Sequence, residues 1–133
     1  MIVLDASVIL KCFLKEQDSP KAIELLENHT TGDEQIAVPD LLYYEVANAL
    51  ITKTTLSKKA TTTAIRNILE LDLISYSLGT DEYMSAVQLA ISSNITMYDA
   101  SYPVLAEKLG ADFITADRKL VGSLKGLDFV KTL

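Results

Sequence analysis

Ile2-Val3-Leu4-Asp5-Ala6-Ser7 carries three consecutive apolar residues straight into an aspartate. A run so short and so apolar reads as a strand, and the residues after Asp5 can follow as a helix, Ala6 to Lys15. The same alternation continues outward. Ser19-Pro20 reads as a helix cap with proline at the first helical position, and Ala22, Ile23, Leu25 and Leu26 supply an apolar face to about Asn28. Gly32-Asp33-Glu34 is a turn before the strand Ile36-Ala37-Val38. Pro39 is expected to open a helix through Lys53, and Ser57 to cap another carrying Ala64, Ile65, Ile68 and Leu69. Leu73 to Tyr76 is a strand. Thr80 is expected to cap a helix that stops near Asn94, and a further helix starts around Asp99 to Ser101 and ends at Gly110. Asp112 to Thr115 is a strand, Asp117 to about Leu124 a short helix, and Phe129-Val130 a last strand.

Strands separated by helices predict an α/β fold, a small, mostly parallel sheet flanked by helices on both faces. The chain has 133 residues, 49% of them hydrophobic, and no repeat, low-complexity tract or linker divides it, so residues 1–133 are read as one domain. A single cysteine, Cys12, excludes an intrachain disulfide framework. A single histidine, His29, excludes a multi-histidine zinc site, and its polar surroundings suggest a solvated turn. The net charge of −6 argues against broad, non-specific nucleic-acid binding, but not against a nucleic-acid enzyme whose acids gather at a metal site. No segment approaches the roughly 18 uninterrupted apolar residues of a spanning helix, and the start lacks a basic leader, so a soluble cytoplasmic protein is the expectation.

In a parallel sheet the functional crevice lies beyond the carboxyl ends of the strands. The polar residues found there are mostly acids. Asp5 follows the first strand and Asp117 the strand Asp112 to Thr115, while Asp99 stands where a helix begins. Each has a plainer reading, because aspartate is a favoured helix cap. Glu45 is harder to explain that way. Its neighbours at helical spacing are Leu41, Leu42, Asn48 and Ala49, so it points from a largely apolar surface, where an unpaired carboxylate is expensive. If the four converge, two carboxylates about 5 Å apart repel by roughly 3 kcal/mol at an effective dielectric of about 20. Several such pairs are tolerable at neutral pH only around protons or a divalent cation. An all-oxygen set selects Mg²⁺ or Mn²⁺.

These residues resemble a PIN-domain ribonuclease, and most closely a VapC-type toxin of a toxin–antitoxin pair. The resemblance rests on Asp5-Ala6-Ser7, on Val38-Pro39-Asp40-Leu41-Leu42-Tyr43-Tyr44-Glu45 with Val46 to Leu50, on Tyr98-Asp99-Ala100-Ser101-Tyr102, and on Thr115-Ala116-Asp117-Arg118-Lys119-Leu120. Any one of these motifs is weak; four in this order are specific. The resemblance implies a metal-dependent endoribonuclease acting on single-stranded RNA and leaving a 5′-phosphate and a 3′-hydroxyl. Asp5, Asp99, Asp117 and Glu45 would be the metal-binding and catalytic acids, with Mg²⁺ or Mn²⁺ as cofactor. Ser7 and Thr115 match positions whose hydroxyls line that site, although both could also simply bond nearby backbone. It further implies an RNA substrate, a cognate antitoxin protein and a homodimer.

Arg118 and Lys119 could meet phosphate, and Lys53, Lys58 and Lys59 could guide RNA; solvated faces explain both groups as well. Tyr43 and Tyr44 could stack on bases or pack in the core. Asp40 is expected to cap or salt-bridge near its helix, Cys12 to fill apolar space, and Leu50, Ile51 and Ile65 to offer surface for a dimer. Other classes remain. A phospho-accepting switch domain needs paired acids early in the chain, and Asp5 has no acidic neighbour; a D-x-D phosphatase fails because residue 7 is serine. A catalytically silent PIN-like binding module and a housekeeping RNA-processing nuclease stay open. Removing a carboxylate, as in Asp5→Asn or Asp99→Asn, is expected to cut activity while stability holds or rises.

Overall fold

The computed structural model describes residues 1–133. Five strands, β1 (Ile2–Leu4), β2 (Ile36–Pro39), β3 (Ile74–Tyr76), β4 (Asp112–Thr115) and β5 (Val130–Thr132), form one sheet in the order β3-β2-β1-β4-β5. Every neighbouring pair is parallel. Seven helices alternate with the strands: α1 (Ala6–Phe13), α2 (Ser19–Thr31), α3 (Leu42–Lys53), α4 (Lys58–Leu69), α5 (Thr80–Ser93), α6 (Met97–Leu109) and α7 (Arg118–Ser123). Each residue of β1 and β2 is buried, which requires a helical layer on both faces of the central strands. The edge strands β3 and β5 have no such cover. The core runs from Val3, Leu4 and Val8 through Ile36, Val38, Leu42 and Val46 to Tyr102, Leu105 and Phe113.

The order of the strands positions the site. From β1 the chain winds outward through β2 to β3, then returns across the sheet to β4 on the other side of β1. The reversal falls between β1 and β4, and the crevice beyond their carboxyl ends is where open α/β sheets bind ligands. Asp5 is the first residue past the end of β1, and Asp117 the second past the end of β4. Helix α6 lies against β1, β2 and β4 and brings Asp99 to the same end.

Several local expectations are corrected. Pro39 does not open a helix; it closes β2, opposite Tyr76 of β3. It lies past the register that β2 shares with β1, so its missing N–H leaves no gap in that ladder. Helix α1 ends at Phe13 rather than Lys15. Ser19 lies inside α2 rather than before it, and its hydroxyl donates to the Leu14 carbonyl and accepts from the Glu16 amide instead of capping. Gly79, not Thr80, holds the cap position of α5. Helix α6 starts two residues before Asp99, capped by the Thr96 hydroxyl, which accepts the Asp99 amide at 3.0 Å. Asp40 neither caps nor pairs with a cation; it accepts the Ser77 hydroxyl at 2.7 Å. His29 is not a solvated turn residue: it sits in the last turn of α2, where Nδ1 accepts the Ile36 amide at 3.1 Å. Leu50 belongs to the core, leaving Ile51 exposed and Ile65 half-buried. Other local expectations hold: Ser57 caps α4, and Asn94 and Gly110 end α5 and α6 at positive φ. Cys12 packs against the core, its thiol pushed up to about 11 by burial.

Thr96 carries a prediction. Thr96→Ala removes a cap, worth about 1 kcal/mol, or roughly 3–5 °C in melting temperature for a chain of this size. An unchanged melting temperature in a thermal scan would show that the turn holding Asp99 does not depend on this cap.

Candidate active site

Asp5 is the most enclosed of the acids, with only 6% of its surface exposed. It satisfies the cap reading: Oδ1 accepts the amides of Ser7 at 3.0 Å and Val8 at 3.3 Å, the first turn of α1. It does more. The Ser7 hydroxyl donates to Oδ1 and the Thr115 hydroxyl, from the end of β4, donates to Oδ2. Both hydroxyls also accept backbone, Ser7 Oγ from the Ala116 amide at 2.9 Å and Thr115 Oγ1 from the Asp117 amide at 3.0 Å. Each hydroxyl therefore ties backbone and also holds Asp5; Thr115 itself is fully buried. Burial raises the Asp5 carboxyl above its ordinary range in spite of these donors.

Asp117 caps α7, with Oδ1 accepting the amides of Lys119 at 3.0 Å and Leu120 at 3.1 Å. Asp99 is in the first turn of α6; burial, then the nearby charge of Asp117, raises its carboxyl, against a hydrogen bond from Thr96. Glu45, on α3, accepts the Tyr102 hydroxyl of α6 at 2.5 Å. Its carboxyl is raised by burial first and by the charges of Asp99 and Asp5, with Tyr102 and Lys53 opposing. These mutual charge effects link Glu45 to Asp5 and Asp99, and Asp99 to Asp117.

The four acids line one cleft of about 210 Å³, together with Ser7, Lys53 and Tyr102. A second hollow, about 410 Å³, adjoins it through Asp99 and Asp117 and is lined also by Asn94, Lys119 and Ser123. Lys119 thus faces the site's border, whereas Arg118 is simply exposed. No three acidic, histidine or cysteine side chains stand close enough to grip a single ion directly. The donor set still suits Mg²⁺ or Mn²⁺, which take oxygen ligands and, in the case of Mg²⁺, are commonly held by one or two carboxylates with waters completing the shell.

One residue lining the cleft, Tyr102, was not singled out from the sequence. Tyr102 is almost fully buried, stacked on Phe113 with ring centroids 5.8 Å apart, and reaches Glu45 across the helices. Its signal was the three-residue spacing from Asp99, which places both on one side of α6. Lys53, read from the sequence with Lys58 and Lys59 as either an RNA guide or a solvated face, lines the acid cleft.

Raised carboxyls make a stability prediction. The folded chain binds protons at Asp5, Glu45 and Asp99 more tightly than the unfolded chain, whose ordinary values are 3.8 for Asp and 4.5 for Glu. Their contribution is fully present below that range and is lost as pH rises through the higher folded values. Glu34 and Glu82, held low by hydrogen bonds from the terminal ammonium and Lys108, pull the other way, but as surface pairs they weigh little. In chelator, the melting temperature is expected to be lower at about pH 7.5 than at about pH 5, and Mg²⁺ to raise it more at the higher pH. A melting temperature that climbs with pH in chelator would contradict the crowding of these acids.

A five-stranded parallel sheet with acids gathered past its central strand ends defines a recognisable class. The chain matches the PIN domain over residues 2–122 and belongs to that family. Within it the likeness is to VapC proteins. It is 30% identical over 133 residues to ribonuclease VapC3 of Pyrobaculum aerophilum, covering 95% of this chain and 96% of that one. It is 34% identical over 101 residues to exonuclease VapC9 of the same organism, covering 75% of each. A toxin–antitoxin complex from Klebsiella pneumoniae shares the fold, with a TM-score of 0.73 at 17% identity over 99% of this chain and 97% of that one. No helix is long and apolar enough to cross a membrane.

Proposed function

We propose that the chain is a divalent-metal-dependent endoribonuclease that cleaves single-stranded RNA, and that it acts as the toxin of a toxin–antitoxin pair. One observation carries the reading: Asp5, Glu45, Asp99 and Asp117, from four separate segments, line a single cleft at the carboxyl ends of β1 and β4. Asp99, Asp117, Asp5 and Glu45 would hold Mg²⁺ or Mn²⁺. Such an ion, when bound, supplies an acidified water and offsets charge growing on the phosphate.

The remaining work falls to the protein. Asp5 is held rigid by two amides and two hydroxyls, so its orientation is set before any ligand arrives. Tyr102 occupies one oxygen of Glu45 and leaves the other for the cleft. Lys53 supplies a cation among the acids, suited to the entering phosphate. A histidine base is not needed where a divalent ion acidifies the water, and His29 serves the fold. A homodimer and an antitoxin partner are part of the same proposal; the likeness to VapC proteins and to the Klebsiella pneumoniae toxin–antitoxin complex supports the antitoxin partner.

The test is incubation of the purified protein with labelled linear and closed circular single-stranded RNA, in Mg²⁺, in Mn²⁺ and in chelator. Linearised circles in metal alone are expected. Cleavage in chelator, or no cleavage of any RNA, would overturn the reading. Cleavage confined to linear RNA would convert it to an exonuclease, the activity in the name of the second relative. Growth arrest on expression, relieved by a small neighbouring gene product, tests the toxin role.

A further inference from the structure

Tyr44 of α3 and Tyr98 of α6 are 81% and 62% exposed. They come from different helices yet line one hollow of about 420 Å³, with Glu45, Asn48, Ala49 and Lys53. Glu45, Ala49 and Lys53 also line the acid cleft, so the hollow adjoins it. The one aromatic stack in the chain is Tyr102 on Phe113, which leaves both exposed rings without an aromatic partner. Lys53 is in none of the chain's ion pairs.

We infer that Tyr44 and Tyr98 form a base-stacking subsite for an unpaired nucleotide of the RNA strand, next to the phosphate that enters the acid cleft. This rests on the nuclease reading above and adds to it which part of the substrate is held, and where. The rings offer flat apolar faces, which any base can stack on. Asn48, one helical turn from Tyr44, offers a donor and an acceptor to the base edge, and Lys53 meets the phosphate between hollow and cleft. A base inside a duplex has no free face for such a site, so the geometry selects single strands. The residues that the hollow shares with the acid cleft, Lys53 among them, favour nucleic acid over a protein partner.

Tyr44→Ala and Tyr98→Ala sit on exposed helical positions that alanine suits, so folding should be unaffected. Each is expected to raise KM for a short single-stranded RNA by about 5- to 100-fold with a smaller change in kcat, whereas Tyr44→Phe keeps the ring and near-parental KM. The chain has no tryptophan, so its emission is tyrosine alone. Titration of an oligoribonucleotide into an Asp99→Asn background should quench that emission, and less so once Tyr44 and Tyr98 are removed. Ile91→Ala, an exposed apolar position on α5, is the control and should change neither readout. If the parent cleaves and both alanine variants keep its KM and quenching, the subsite is wrong while the nuclease reading stands. If they keep KM but lose self-association in sedimentation, the surface is a protein interface and the inference falls. If the parent cleaves no RNA, but quenching by RNA disappears with the two rings, the subsite survives as a binding site and the nuclease reading alone falls.

Discussion

Asp99→Asn is expected to reduce RNA cleavage by more than about 100-fold while the protein folds at least as stably as the parent. The size follows from position. Substitution of residues one shell out from a metal already costs roughly 10- to 100-fold, and Asp99 faces the cleft itself. The stability follows from what the carboxylate does for the fold, which is little. The amide of Asp99 takes part in the cap with Thr96, and asparagine keeps that amide. What is removed is a half-buried charge raised by desolvation and by Asp117. Cleavage rates in Mg²⁺, a melting curve, and calorimetric titration of Mn²⁺ check the three parts. A variant that cleaves normally would remove Asp99 from the site. The corresponding change at Asp5 should kill activity as thoroughly but not stabilise. Asp5 accepts two amides and two hydroxyls, and an asparagine has one oxygen to offer them. Its NH₂ meets a hydroxyl already committed to donating, so the relief of charge is offset by about 1 kcal/mol of lost hydrogen bonding.

Tyr102→Phe should lower activity and Mn²⁺ affinity by about 10- to 100-fold, the effect of removing a partner that orients a ligand. The ring stays, so the stack on Phe113 and the core position remain filled. What goes is the hydroxyl that holds Glu45 Oε1. Glu45 is only half-buried, and water can replace the lost donor, so the melting temperature should move little. Tyr102→Ala, in contrast, should cost about 3–5 kcal/mol by leaving a cavity in the centre of the sheet's helical cover. Equal losses of stability in both variants would mean that the hydroxyl matters to the fold rather than to Glu45.

Much of the site could be read locally. Asp5, Asp117 and Glu45 stand out because a strand end, a helix start and an apolar helix face are patterns within a few residues of each other. The cap reading of Asp5 and Asp117 does not compete with the proposed site: the amides at each helix start fix the carboxylate through Oδ1, and both side chains also line the cleft. Errors also had local causes. Pro39 misled because proline suits both a first helical turn and the last position of a strand. Ser19 misled because its hydroxyl found the Leu14 carbonyl rather than the free amides of α2.

Alternating apolar runs and turns were sufficient to determine the class of fold and its mostly parallel sheet, and to mark the four acids as candidates, because helix periods, strand periods and caps are short-range effects. Only the tertiary structure decided that β4 lies beside β1, and with it that Thr115 reaches Asp5 across 110 residues. The same packing sent Leu50 inward, brought Tyr102 to Glu45 and set Lys53 among the acids. Those contacts depend on strand order and on how α3 and α6 lie over the sheet. Burying apolar area sets both, and it acts on the whole chain at once rather than on any stretch of it.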